Sequence, residues 1–479
     1  MLFPTVEYAL FFLIVLTLAW TLYRRVTIHK TFLLLASYLF YGFWNWHYVP
    51  LLFLISAFSG LVAQRIHSCT TPKSRKTWLA MGVTICLATL VYYKYTAFLL
   101  TTVLNLWPHL SHRTIQIPAS LAAASTPMLP LGISFFVFHA ISLMTDVYRN
   151  KLKQPVRMLD ALLYVAFFPQ LIAGPILKAS SFLPQLQRER NPRALRVNRA
   201  IMLIVAGLFK KVVISNLLAT RLVEPVFAAP QTFSGPDIAL AIYGYAAQIY
   251  CDFSGYTSIA IGCALLLGYR FPRNFNAPYT ATSPQDFWRR WHISLSSWLR
   301  NYLYIPLGGS RGGPVRTCIN LMITMLLGGL WHGAAWTFVI WGALHGFYLI
   351  VHRLWSAIQW QPILRLRETK TWLWTSRLLL FHAVCFGWIF FRSASFGIAW
   401  TVIRRLGTHG PLTLATTPVV LMLIAGLLGQ FRPQRWFTAL EAEFSRWPAL
   451  ARGAALALAI FAIEVLGPTG VAPFIYFQF

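Results

Sequence analysis

Leu321-Met-Ile-Thr-Met-Leu-Leu-Gly-Gly-Leu-Trp-His332-Gly-Ala-Ala-Trp-Thr-Phe-Val-Ile-Trp341 decides the fold. It carries no charged side chain, and about 20 apolar residues suffice to cross a bilayer as a helix. Runs of this kind recur along the chain, near 7–23, 31–45, 50–64, 78–104, 129–148, 158–173, 199–222, 237–269, 315–331, 335–354, 373–391, 417–430 and 450–467. They predict an all-α polytopic membrane protein of about eleven to thirteen helices, several too short to span untilted. One imidazole interrupts the quoted run. An ionisable group at that depth is costly and marks a candidate functional site.

Composition supports the same class. The 479 residues are 57% hydrophobic and 11% charged, with mean hydropathy +0.59, whereas soluble domains carry about 25% charged residues. The opening Met1-Leu-Phe-Pro-Thr-Val-Glu7 lacks a basic leader and reads as the start of a retained helix. Only twelve acidic residues oppose 41 basic ones, for a net charge of +29. Clusters at Arg24 to Lys30, Arg65 to Lys76, Arg149 to Arg157, Arg188 to Arg199 and Arg432 to Arg452 would face the cytoplasm, placing both chain ends outside it. Either this rule accounts for the whole excess, or the basic face additionally attracts anionic lipid or an anionic donor such as coenzyme A. The charge is spread over every connection, which does not suit a nucleic-acid partner. The six cysteines form no paired motif, so neither a disulfide framework nor a metal site is indicated.

Residues 270–314 depart from the apolar pattern. Ser283-Pro-Gln-Asp286 reads as a capped helix start with proline and an acid in its first turn. The helix expected from Phe287 to about Tyr304 mixes aromatics with Arg289, Arg290, His292 and Arg300, and the glycine-rich Gly308 to Gly313 closes it. Polar backbone at membrane depth survives only inside protein or beside a cavity, so this segment is expected to be re-entrant or interfacial.

The residue types suggest roles. His332 is either a satisfied core histidine or a neutral base that takes the proton of an attacking hydroxyl. His292 is a packed helix residue or a second catalytic histidine, with Arg289 and Arg300 able to reach the phosphates of a donor and Arg290 beside them. Asp252, deep in an apolar stretch, needs a cation; Arg149, Arg392, Lys210 and Lys211 are open candidates. Asp286 is the other carboxylate near these segments. His139, His345 and His382 read as satisfied core histidines. The closing Ala472-Pro-Phe-Ile-Tyr476-Phe-Gln-Phe479 is either an aromatic anchor at the membrane surface or a tail that enters the same cavity and offers the Tyr476 hydroxyl.

The ordered set Phe168-Pro-Gln-Leu-Ile-Ala-Gly-Pro175, Asp252-Phe-Ser-Gly-Tyr256, Asn274-Phe-Asn-Ala-Pro-Tyr279, Phe287-Trp-Arg-Arg-Trp-His292, Tyr302-Leu-Tyr-Ile-Pro306 and Leu330-Trp-His-Gly333 resembles the membrane-bound O-acyltransferases, in particular their bacterial alginate, peptidoglycan and cellulose O-acetylase branch. The likeness covers about residues 30–395 of one membrane domain, 1–479, leaving 396–479 for further helices and the aromatic tail. It implies helices around a central funnel in the bacterial inner membrane and acetyl-CoA as a cytosolic substrate, with no bound cofactor. It further implies His332 as catalytic histidine, His292 as its companion, and Tyr476 as a carrier that hands the acetyl to an extracytoplasmic esterase-like glycan acetyltransferase. Two positions depart from the branch pattern: Thr257-Ser258 stands where Ser-Asp is usual, and Asn301 where Asp is usual. Rival readings are D-alanyl transfer to teichoic acid from a carrier protein, a transporter or channel with a histidine relay, and a scaffold that has lost catalysis.

Overall fold

The computed structural model describes residues 3–111, 127–152, 154–172, 174–468 and 474–475. Among them are helices and turns and no strand. Among the described residues eight helical segments are long and apolar enough to cross a membrane, with the pair joined at Trp46–Tyr48 counted as one, and three shorter apolar helices accompany them. Those eleven meet the count expected from the apolar runs. The chain forms two compact units, residues 1–194 with 267–269, and residues 195–266 with 270–479.

In the first unit, helices Val26–Asn45 and Val49–Ser68 are joined by the short turn Trp46–Tyr48. Their far ends meet neighbouring points of the chain. Lys30 Nζ lies 2.5 Å from Asp160, and Gln64 donates to the Val156 carbonyl at 3.0 Å. The two helices therefore fold back as a hairpin, with Trp46–Tyr48 at its tip. Arg75 reaches the Tyr148 carbonyl and Asn150 at the same end. Lys30 is consequently not a loop charge of a basic cluster: it is buried, and its ammonium neutralises a buried carboxylate. Ile133–Tyr148 supplies the centre of this unit, where the His139 Nε2 accepts the Leu177 amide at 3.2 Å.

The second unit is built on Gly235–Leu266, a 32-residue helix whose most apolar window is 72% buried. Around it run Val197–Leu208, Gly313–His332, Trp336–Ala357, Lys370–Arg392 and Thr417–Leu428. Gly313–His332 crosses Trp336–Ala357 at Gly329 and Gly342. A methyl group added at Gly329 would strike the Phe338 carbonyl and the Gly342 backbone, so the crossing is a backbone contact. The glycines flanking His332 thus serve helix packing, and this crossing holds the end of the His332 helix in place. After Val197–Leu208 the chain continues through a π turn at Phe209–Ser215.

Candidate active site

His332 ends the Gly313–His332 helix and is 3% exposed. Its ring sits among Trp331, Trp341 and Phe391, with centroids 5.0, 5.0 and 5.2 Å away. The His292 ring lies 6.3 Å from it, centre to centre. Two histidines forty positions apart in sequence therefore share one aromatic cluster within the second unit.

The continuous helix expected through His292 does not form. Pro284–Arg290 ends at Trp291, His292 takes a left-handed conformation with φ of 42°, and Ile293–Leu299 starts anew. The cause is Asn274. Its main-chain carbonyl accepts the Ile293 amide at 2.9 Å, and its side-chain oxygen accepts the Ser294 amide at 3.0 Å and the Ser294 hydroxyl at 2.9 Å. A left-handed non-glycine residue costs about 1–2 kcal/mol, and three bonds from one residue offset it.

Asn274 also fixes the chemistry of His292. An amide N–H can only donate, so the Asn274 atom facing Ser294 is oxygen. That same oxygen faces Nδ1 of His292 at 3.3 Å. Nδ1 therefore carries the hydrogen, and Nε2 keeps its lone pair. His292 is wholly buried, and burial pushes its pKa down to about 3. It is a neutral imidazole with its basic nitrogen preset. That nitrogen has no hydrogen-bond partner among the described residues.

It is not alone in this. The Asn274 side-chain nitrogen, the Trp288 and Trp341 indole nitrogens and Nε2 of His345 are buried and equally without partners among the described residues. Buried polar atoms are nearly always satisfied, so a group of them needs an explanation. Trp341 lies 4.7 Å from His345, 5.8 Å from Trp288 and 5.0 Å from His332, ring to ring, so the rings that carry these nitrogens adjoin one another. A bound reactant with polar atoms would satisfy them. His345, which the sequence presents as a satisfied core histidine, belongs to this set. His382 does bond its surroundings, through Tyr243 and the Leu378 carbonyl.

The remaining candidates divide. Asp286 pairs with Arg290 at 2.9 Å, and Arg290 also reaches the Asn276 carbonyl and Thr280, so the two tie their helix to the preceding loop. Arg289 and Arg300 are exposed, unlike the buried histidines, and Asn301 lies in the π turn Arg300–Tyr304. Asp252 is paired with Lys211 at 2.5 Å, which resolves the choice among four cations. Lys210 instead bonds the hydroxyls of Ser254 and Ser258 at 3.1 and 3.0 Å. Tyr476 lies outside the described residues. Phe474 and Ile475 before it are buried, and the Ile475 amide donates to Asp252 at 3.1 Å. Asn274 is the residue that sequence reasoning missed as a site residue, although it opens one of the diagnostic motifs. Among the described residues no three or more His, Cys, Asp or Glu side chains gather as metal ligands.

The second unit thus packs two buried histidines together among aromatic side chains. Residues 89–400 match the sequence profile of the MBOAT, membrane-bound O-acyltransferase family. The probable alginate O-acetylase AlgI of Azotobacter vinelandii is 38% identical over 80% of this chain and 73% of its own length. The peptidoglycan O-acetyltransferase of Helicobacter pylori is 37% identical over 80% and 74%. The teichoic acid D-alanyltransferase of Bacillus subtilis is 27% identical over 61% and 74%. The chain belongs to the membrane-bound O-acyltransferase family.

Proposed function

We propose that this protein takes an acetyl group from acetyl-CoA on the cytoplasmic side and passes it through the membrane for O-acetylation of an extracytoplasmic glycan, such as peptidoglycan or an exopolysaccharide. The observation that carries the reading is the cluster of partnerless buried nitrogens around His292 and His332. The named activities of the alginate and peptidoglycan relatives favour acetyl and glycan.

The chemistry asked of the site is an acyl exchange. A hydroxyl oxygen attacks the thioester carbonyl while its proton passes to an imidazole nitrogen, His332 in our assignment. The carbon–sulfur bond breaks, and the coenzyme A sulfur leaves with that proton as a thiol. His292 offers a second neutral nitrogen within the same cluster, set by Asn274 to accept a hydrogen bond from the attacking or leaving group. In this reading Arg289 and Arg300, which are exposed, hold the donor phosphates. Tyr476 serves as first acceptor in this scheme, and an esterase-like partner on the far side moves the acetyl from it to the glycan. Burial of Phe474 and Ile475 beside Phe253, whose ring meets His292 edge-on at 4.6 Å, supports a tail that reaches this cluster.

The deciding experiment is glycan acetylation in cells expressing His332→Ala at wild-type level. Loss of acetylation by about a hundredfold or more is expected, and unchanged acetylation sinks the proposal. Tyr476→Phe with full activity removes only the carrier step. D-alanyl transfer is the second reading, favoured by the teichoic acid relative. Turnover of acetyl-CoA by the purified protein counts against it, and binding of an acidic carrier protein counts for it.

A further inference from the structure

We propose that Asp252, held by Lys211 and flanked by Phe253 and Tyr256, is a peptide-binding site inside the second unit whose ligand is the main chain of the protein's own closing segment, read at Ile475. Its use in acyl transfer rests on the reading of Tyr476 as carrier; the binding site itself does not.

The carboxylate divides its two oxygens between different tasks. Oδ1 receives the Lys211 ammonium at 2.5 Å and the Ser215 hydroxyl at 3.3 Å. Oδ2 receives the Ile475 amide at 3.1 Å, from a residue 223 positions further along the chain. A pair that served only to neutralise charge would not recruit a main-chain donor so distant. The neighbouring side chain is recognised as well. Phe474 is fully buried, its ring 4.4 Å from Tyr256 and 5.7 Å from Phe253, and Ile475 is 2% exposed. Asp252 and Tyr256 stand four residues apart on one helix and share a face, so one element supplies both the acceptor and the aromatic wall. The ligand class is an extended apolar peptide: an aromatic side chain followed by a residue with a free N–H.

This arrangement fixes register. An aromatic slot alone accepts a ring at several depths, but a charged acceptor beside it admits one amide. A hydrogen bond to a charged group is worth roughly a ten- to hundredfold preference, so the docked alignment outweighs a slip by one residue, which would also turn Phe474 away from its slot. Asp252 is on this account a positioning residue. It touches the tail and not the reacting atoms.

Photo-cross-linking in the full-length protein tests this. Phe474→p-azidophenylalanine in nanodiscs is expected to cross-link to the peptide containing residues 253–256. Adding Ile475→Pro, which removes the amide hydrogen, should lower that yield tenfold or more, whereas Ile475→Val should leave it unchanged. Equal yields with proline and valine, or cross-links only elsewhere, overturn the proposal. Hydrogen exchange of the unmodified chain gives the second measurement. The Ile475 amide should exchange at least tenfold more slowly than in the free peptide 470–479, and exchange at the free rate overturns the proposal by itself. Neither readout involves acyl transfer. A docked tail in a protein that transfers nothing would therefore count against the proposed function alone, and an undocked tail in an active protein against this site alone.

Discussion

Asn274 decides which nitrogen of His292 is basic, and the consequence can be measured. Asn274→Leu keeps the bulk but removes the acceptor, freeing the imidazole tautomer and the left-handed turn; activity should fall roughly a hundredfold. Asn274→Asp puts an anion against Nδ1–H and stabilises the charged imidazolium, so the acid limb of the pH–rate profile should move to higher pH. A profile identical to wild type would rule out this lock. The same burial carries a stability sign. The folded state holds His292 near pKa 3 while the unfolded chain titrates near about 6.5. The unfolded state thus binds a proton that the folded state refuses, and stability should be unchanged above that range and decline as pH drops from about 6.5 toward 3. Thermal unfolding in detergent between pH 7.5 and 5 should show a shallower decline for His292→Gln. Sequence reading singled out both histidines, His332 because an imidazole in an apolar run stands out and His292 because it follows two arginines in the stretch that breaks the pattern. It did not find the lock, because Asn274 acts through its oxygens on ring and backbone hydrogens of a segment 18 to 20 positions away, and no spacing rule announces such a contact.

At the scale of elements, the apolar runs place the long apolar helices but not the short Ala179–Leu186, Phe396–Arg405 and Gln434–Arg446, and internal register did not follow from them. Lys210 and Lys211 are adjacent, and a regular helix offers no reason to prefer either as partner of Asp252. The π turn at Phe209–Ser215 adds a residue to one turn and changes which side chain faces inward. Lys211 goes to the carboxylate and Lys210 to Ser254 and Ser258. The departure from the branch pattern at Ser258 is therefore a hydroxyl against a cation, where an acid would make an ion pair. Lys211→Met leaves a buried carboxylate uncompensated and should cost about 3–5 kcal/mol. Lys210→Met leaves only hydroxyls, one already bonded to the Ser254 carbonyl at 2.7 Å, and should cost about 1 kcal/mol or less. Equal losses of thermal stability in the two variants would contradict this division. The helix crossing beneath His332 makes a parallel forecast. Gly329→Ala drives a methyl into the Phe338 carbonyl and the Gly342 backbone, and overpacking of this kind costs about 1–3 kcal/mol. A lowered midpoint with reduced activity is expected, since the displaced helix carries His332 at its end.

For the whole molecule, the charge pattern and the hairpin of the first unit make one topological forecast. Lys30, Gln64 and Arg75 meet residues 148–160 at one end of that unit, and Trp46, 69% exposed, lies at the tip opposite. With the basic end cytoplasmic, a cysteine replacing Trp46 in a cysteine-free background should react with an impermeant maleimide on intact cells. One replacing Lys73 should react only in inverted vesicles, and the reverse pattern would invert the orientation. The docking of Ile475 on Asp252 has a consequence in time. Lys211 and Asp252 leave the ribosome within 41 residues of each other, but the amide that completes their site follows 223 residues later. At about 5–20 residues per second that is a delay of roughly ten to forty-five seconds. Throughout it the nascent protein holds an assembled ion pair and an open aromatic slot within the bilayer. The helices between them are made first, so the Asp252 site is completed only when Ile475 has been synthesised.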